Sequence, residues 1–252
     1  YTCAKCGAVE HRNEVAAFGH KMNAGEVVIK PTATTSGVRV YTCSVCGETK
    51  AETIPATGLP SVCPGGPTCP GYAFRDMPAP DSWAHAGLDY CIYSGYINGL
   101  SATTVDPSGT CTRAQLVCIL YRIQGEPKVV EGYELAKLRA PFDDVPRGQW
   151  YTNAILWAKL TGIVNGTSAT TFDPNTTISR QDMAVMLYNY TQHFGVQLDQ
   201  KTVTAFTDEG SVAAYALPAV QALHRAGVIN GMPDGSFQPY ATATREQACI
   251  VL

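Results

Sequence analysis

Along residues 150–162, Trp150, Ala154, Ile155 and Ala158 recur at intervals of three or four, and Gly162 closes the series. That period draws one apolar stripe along an amphipathic helix, with Gly162 placed as its C-cap. The following IVNGTSATTFDP has no such period. Its Asn-Gly and Asp-Pro signals bracket a short extended piece and predict a structured crossover without a large sheet. A second helix is predicted from Ser179, which stands three residues before Asp182 in capping-box spacing, with Asp as the weaker substitute for Glu or Gln. Such a cap stabilises a helix by about 1 kcal/mol.

This helix–loop–helix pattern is written three times. The first copy runs from Phe74 through FRDMPAPDSW, GYING, VDP and TRAQ; the second from Phe142 through FDDVPRGQW, GIVNG, FDP and SRQD; the third from Phe206 through FTDEGSVAAY, GVING, FQP and TREQ. Asn98, Asn165 and Asn230 each lie nine residues before a proline and fifteen before an arginine, so the intervening loop must have one geometry. Thr112 with Gln115 and Thr244 with Gln247 repeat the capping spacing. The connectors EPKVVEGYELAKLRAP and QLDQKTVTA are polar. Each copy also places an arginine (Arg113, Arg180, Arg245) at the first helical position, where the macrodipole disfavours a cation by about 0.3–1 kcal/mol. Two readings compete: an anion site shared with unused helix-start N–H groups, or a staple to an aspartate (Asp76, Asp144, Asp208) or carbonyls of a neighbouring copy.

These motifs resemble the S-layer homology repeat, with its Phe-x-Asp-Val, helix-opening Trp, Gly-Ile/Val-x-Asn-Gly, Phe-x-Pro and Thr-Arg-Ala-Glu-like box, over about residues 73–252. The resemblance implies a mainly α fold, a pseudo-threefold helical spindle with a small β-rich N-terminal region. It implies anchoring to pyruvylated wall polysaccharide of a bacterial envelope. It also implies contact residues at grooves between copies: Asp76, Trp83, Asn98, Gly99 and Arg113; Asp144, Trp150, Asn165, Gly166 and Arg180; Asp208, Tyr215, Asn230, Gly231 and Arg245. Aromatic faces suit sugar rings, arginine suits carboxylates, and glycine admits close backbone approach. The third copy departs by Tyr215 for Trp and Glu209 for Val. The competing reading of the tryptophans is packing into the core at the helix start.

Ten cysteines divide by context. TCAKCG (Cys3, Cys6) and TCSVCG (Cys43, Cys46) are the same knuckle forty residues apart, a shape in which two thiolates on a tight turn share one zinc ion. Pooling them gives a four-cysteine site, whereas tandem modules would bring His20 to Cys43 and Cys46; long-range disulfides and free thiols are the alternatives. GEVVIKPTATTSGVRVYT between them alternates as a β-hairpin does. The segment is similar to short cysteine repeats found beside S-layer homology domains, but Leu59 stands where such repeats often carry His. Cys63 and Cys69, in CPGGPTC, read as a small disulfide loop without ligand-like neighbours. Cys91, Cys111, Cys118 and Cys249 fall where the other copies have Ala158 and Leu223, Ile178 and Ala243, Val185 and Ile250, and Val117 and Ala184, so each is expected to act as a buried small hydrophobe. A bridge from Cys91 to Cys111 or Cys118 is the alternative.

Composition narrows the function. With 45% hydrophobic residues and a net charge of −3, the chain can bury a core but offers no broad basic face for nucleic acid. It has no apolar run long enough to span a membrane. The loop DPNTTISRQD lacks the glycine and twelfth-position glutamate of an EF-hand. The five histidines form no visible base–nucleophile pair, and His85 and His224 are expected on helix surfaces. Asp143–Asp144 reads as a helix-entry acid, and three Asn-x-Thr sequons as turn and helix residues. The expected organisation is residues 1–58 cysteine-knuckle region, 59–72 linker, and 73–136, 137–201 and 202–252 the three repeats, with both ends cut from a longer protein. The expected function is non-catalytic wall anchoring, with zinc confined to the N-terminal region and none required by the repeats. The alternatives are a self-associating surface-lattice subunit, or the anchor of an exported enzyme whose catalytic domain lies outside this chain.

Overall fold

A computed structural model describes residues 22–23, 25–29, 37–54, 65–127 and 142–252. The chain divides into two compact units, Tyr1–Ser61 and Val62–Leu252. In the first, β1 (Glu26–Ile29), β2 (Gly37–Thr42) and β3 (Thr49–Ile54) form an antiparallel sheet in that order. Alternation thus produced the predicted hairpin and a third strand beyond it. The β2–β3 turn carries the TCSVCG motif with Cys43 and Cys46. There the Cys43 N–H donates to the Glu48 carbonyl at 2.8 Å and the Gly47 N–H to the Cys43 carbonyl at 3.0 Å.

The second unit contains two helices from each copy: α1 (His85–Tyr93) and α2 (Arg113–Ile123), α3 (Thr152–Leu160) and α4 (Arg180–Phe194), α5 (Leu217–Arg225) and α6 (Arg245–Ile250). The second helices start on polar caps, because Thr112, Ser179 and Thr244 accept from the N–H three residues on. Thr112–Gln115 and Thr244–Gln247 close full capping boxes. Asp182 instead accepts from the Ser179 hydroxyl at 2.8 Å, its shorter side chain failing to reach back to the cap N–H. Gly162 follows the C-cap residue Thr161 of α3 in left-handed conformation, one position later than expected. The first helices begin about two residues later than the apolar pattern implied. Trp150 precedes α3 and is 60% exposed, while Tyr151, Ala154, Ile155 and Ala158 carry the buried stripe. Core packing of the helix-opening aromatics is therefore set aside.

Helices pair across copies, α2 with α3, α4 with α5, and α6 with α1. At the centre, Cys111 donates its N–H to Ala243, Ala243 to Ile178, and Ile178 to Cys111, each at 2.9 Å. One residue from each copy thus completes a closed hydrogen-bonded ring, and all three are fully buried. Among the described residues of this unit no large sheet forms, as the loop signals predicted; their extended pieces meet as single bridges such as Thr112 with Thr177 and Ser179 with Thr242. Cys91, Cys111, Cys118 and Cys249 are buried as expected. Cys91 faces neither Cys111 nor Cys118 through a hydrogen bond; its Sγ lies 3.7 Å from the Cys249 carbonyl, where α1 meets α6. Burial pushes the Cys111 and Cys118 thiols up to about 12, which makes them poor nucleophiles.

Candidate functional site

Each motif aspartate is bound to the loop of its own copy. Asp76 accepts from the N–H groups of Val105 (2.9 Å) and Asp106 (2.7 Å), Asp144 from Phe172 (2.9 Å) and Asp173 (2.6 Å), and Asp208 from Phe237 (2.7 Å) and Gln238 (2.8 Å). These bonds hold Asp106, Asp173 and Gln238 at φ of 52°, 56° and 56°, a conformation that costs a non-glycine residue about 1–3 kcal/mol. Burial alone would raise the Asp76 carboxyl, but the Val105 and Asp106 N–H groups and Arg75 hold it below its ordinary value.

The carbonyls of the same loops receive the arginines. Arg113 Nε donates to Phe172 (2.8 Å), Arg180 Nε to Phe237 (2.7 Å) and Arg245 Nε to Val105 (2.8 Å), so each arginine docks on another copy in cyclic order. The guanidinium carbons of Arg113 and Arg180 lie 4.8 and 5.1 Å from the centroids of Phe172 and Phe237. Val105 offers Arg245 no ring, and there Nη2 donates to the Asn98 carbonyl at 3.1 Å. All three side chains are buried. The helix-start N–H groups are engaged as well: those of Arg113 and Ala114 donate to Thr176 and Pro174, those of Arg180 and Gln181 to Ala241 and Pro239, and those of Arg245 and Glu246 to Gly109 and Pro107. The staple reading thus has its geometry, with carbonyls rather than aspartates as acceptors. Among the described residues, the Nη atoms of Arg113 and Arg180 meet no hydrogen-bond acceptor. Burial lowers the pKa of Arg113 against the opposing pull of Asp182, Asp173, Tyr215 and Asp144, and lowers that of Arg180 against Asp208.

The glycines of the Asn-Gly turns serve packing. A Cβ on Gly166 would lie 2.5 Å from the Phe142 ring and 2.5 Å from the Thr171 carbonyl, and Gly99 and Gly231 meet Phe74 and Phe206 in the same way. The motif phenylalanine and the glycine are therefore one contact. The asparagines before them, Asn98, Asn165 and Asn230, are exposed. So are the three aromatics, Trp83 at 64%, Trp150 at 60% and Tyr215 at 62%. Tyr215 is tied to the neighbouring copy, its hydroxyl donating to Asp182 at 2.7 Å and accepting from Gln181 Nε2 at 3.2 Å. An open cavity of about 440 Å³ in the third copy, lined by Lys201, Glu209, His224 and Arg225 among others, contains none of the predicted contact residues.

Of the predicted metal and disulfide residues, Cys3, Cys6, His20 and Cys63 lie outside the described residues. Cys43 is buried and Cys46 exposed on their turn. Cys69 does have ligand-like neighbours. Its Sγ lies 3.0 and 3.1 Å from the Asp89 carboxylate oxygens and 3.5 Å from His85 Nε2. His85 is buried, not on the helix surface as expected; a segment that comes just before the first copy covers it, which the helical period cannot reveal. His224 stacks on Phe206 at 3.9 Å between ring centroids, and burial lowers its pKa.

A model of the S-layer homology domain matches residues 73–117, 141–184 and 205–249. Among similar proteins, Exoglucanase XynX of Acetivibrio thermocellus is 28% identical over 190 residues, covering 75% of this chain and 17% of that protein. An endoglucanase of Bacillus sp. (strain KSM-635) is 31% identical over 172 residues, covering 68% of this chain and 17% of its own length. An S-layer protein of Bacillus thuringiensis subsp. finitimus is 26% identical over 182 residues, covering 71% of this chain and 20% of its own. The chain thus spans about a fifth or less of each of these relatives.

Proposed function

Because the chain belongs to the S-layer homology domain family, we propose that its three copies form a pseudo-threefold spindle that anchors a larger bacterial cell-surface protein to wall polysaccharide, without catalysis. The observation that carries this reading is the equivalent exposure of Trp83, Trp150 and Tyr215, each offering a ring that a helix start would ordinarily bury. The exposed Asn98, Asn165 and Asn230 supply amide donors and acceptors for sugar hydroxyls. In this reading the aspartates and glycines fix the walls. The arginines hold the copies together through Nε and present their remaining N–H groups to an anionic substituent such as a pyruvyl carboxylate. Cargo lies outside this chain; in the relatives named for glucan hydrolysis the matched stretch is a minor part of the protein. Among the described residues no helix is long and apolar enough to cross a membrane.

Sedimentation with purified wall polysaccharide tests the proposal, run beside the same polymer after chemical removal of pyruvate. Binding to the native polymer, weakened at least about tenfold by depyruvylation, is expected, since a charge-assisted bidentate contact contributes about 1.5–3 kcal/mol. Ordered self-assembly with no polymer binding would instead make the chain a lattice subunit.

A further inference from the structure

We propose that Cys69, His85 and Asp89 bind a zinc ion at the entrance to the first copy, as three protein ligands with a fourth position left to water. The three side chains are buried at 7%, 3% and 6% exposure, and their ligand atoms lie within 4.8 Å of one another. The set combines thiolate, imidazole and carboxylate, the donors that zinc accepts in tetrahedral sites. With Zn–S near 2.3 Å and Zn–N or Zn–O near 2.1 Å, a tetrahedral ion needs about 3.6 Å from sulfur to the lighter ligands and about 3.4 Å between those two. The sulfur–nitrogen edge is 3.5 Å and the nitrogen–oxygen edge 3.2 Å. The sulfur–oxygen edges, 3.0 and 3.1 Å, would lengthen by about half an ångström.

The surrounding bonds aim these groups at a common point. His85 Nδ1 lies 2.6 Å from the Pro78 carbonyl, which fixes Nδ1 as a donor and turns Nε2, the nitrogen left to coordinate a metal, toward Cys69 and Asp89. The Gly71 N–H donates to Asp89 Oδ1 at 2.8 Å and orients the carboxylate. A carbonyl behind the imidazole and a donor on the carboxylate are the outer contacts that metal ligands usually have.

The other two copies act as an internal control. The positions of His85 and Asp89 hold Thr152 and Leu156 in the second copy, and Leu217 and Gln221 in the third; that of Cys69, five residues before the motif phenylalanine, holds Lys137 and Lys201. All three donors thus occur together where the segment carrying Cys69 packs on α1, and nowhere else in the repeat. The fold needs none of them at these positions, since two copies adopt the same helix pair without them. The ion would pin the segment before the first copy to α1.

The test uses the full chain, reduced and freed of metal. Zinc is expected to protect Cys69 from alkylation at least tenfold in a peptide-mapped footprint, and to do so less when His85→Asn removes one ligand. In a chain with Cys3, Cys6, Cys43 and Cys46 changed to serine, one equivalent of cobalt should give a thiolate charge-transfer band. His85→Asn should weaken that binding by more than about tenfold, and Cys69→Ser should abolish the band. The footprint on the otherwise unchanged chain decides the matter even where a variant fails to fold. No protection by zinc, a cobalt band indifferent to these substitutions, or protein isolated with a Cys63–Cys69 disulfide in place of metal would each overturn the assignment.

Discussion

Arg180 donates Nε to the Phe237 carbonyl and lays its guanidinium 5.1 Å from that residue's ring centroid, while Trp150 stands 60% exposed before α3. These two residues, both expected to contact ligand, should therefore separate in their effects. Arg180→Ala removes a charge-assisted hydrogen bond, leaves a carbonyl of another copy without its donor, and loses a cation–π contact. The expected cost is about 2–4 kcal/mol in urea unfolding. Trp150→Ala should leave stability within about 0.5 kcal/mol of the parent and lower polysaccharide affinity about tenfold, the scale of one aromatic contact. Binding to polymer, measured at a urea-free temperature where both variants are folded, checks the pair. Loss of binding without loss of stability in Arg180→Ala would make the arginine a ligand grip and not a staple. The recurrence of arginine was legible in the sequence and its partner was not, because the Phe237 carbonyl lies 57 residues away and a backbone acceptor leaves no residue signature.

The element that depends most on a single side chain is the loop before each second helix. Asp76 holds Val105 and Asp106 across some thirty residues, and with them the left-handed Asp106 before Pro107. The Asp76 carboxyl is held below its ordinary 3.8, so folding favours its ionised form. The sign follows: its contribution is fully present above that ordinary value and is lost as pH falls through the lower folded value. Unfolding free energy measured from pH 6 downward should fall below about pH 4, and Asp76→Asn should remove part of that fall while lowering stability at pH 6. An unchanged pH profile in the variant would exclude Asp76 as a titrating support of the loop. Helices and caps were readable here because Thr112, Ser179 and Thr244 act within one turn. The displaced start of α3 was not, since Trp150 satisfies the apolar period while sitting outside the helix. His85 likewise fitted a surface pattern until the segment carrying Cys69 covered it.

At the scale of the molecule, counting the copies gives no hint of whether they stack in a line or close. A linear array tolerates loss of a terminal repeat, with stability falling roughly in proportion. Here the Cys111, Ala243 and Ile178 hydrogen bonds close on themselves, and α6 packs on α1. A chain ending at Lys201 would lose far more than the contacts internal to the third copy. Arg180 would lose the Phe237 carbonyl, the N–H groups of Arg180 and Gln181 would lose Ala241 and Pro239, and Cys111 would lose Ala243. Truncation gives those four donors to water, so each forfeits a net contribution of about 0.5–1.5 kcal/mol, and it also uncovers the apolar surface that α4 buries against α5. Together these losses approach the whole stability of a domain this size, about 5–15 kcal/mol. The shortened chain should therefore show no cooperative thermal transition of its helical signal, where a linear array would keep a sharp one with about two-thirds of the enthalpy. Calorimetry on the two lengths distinguishes these outcomes, and a sharp transition in the shorter chain would mean that closure contributes little to the fold.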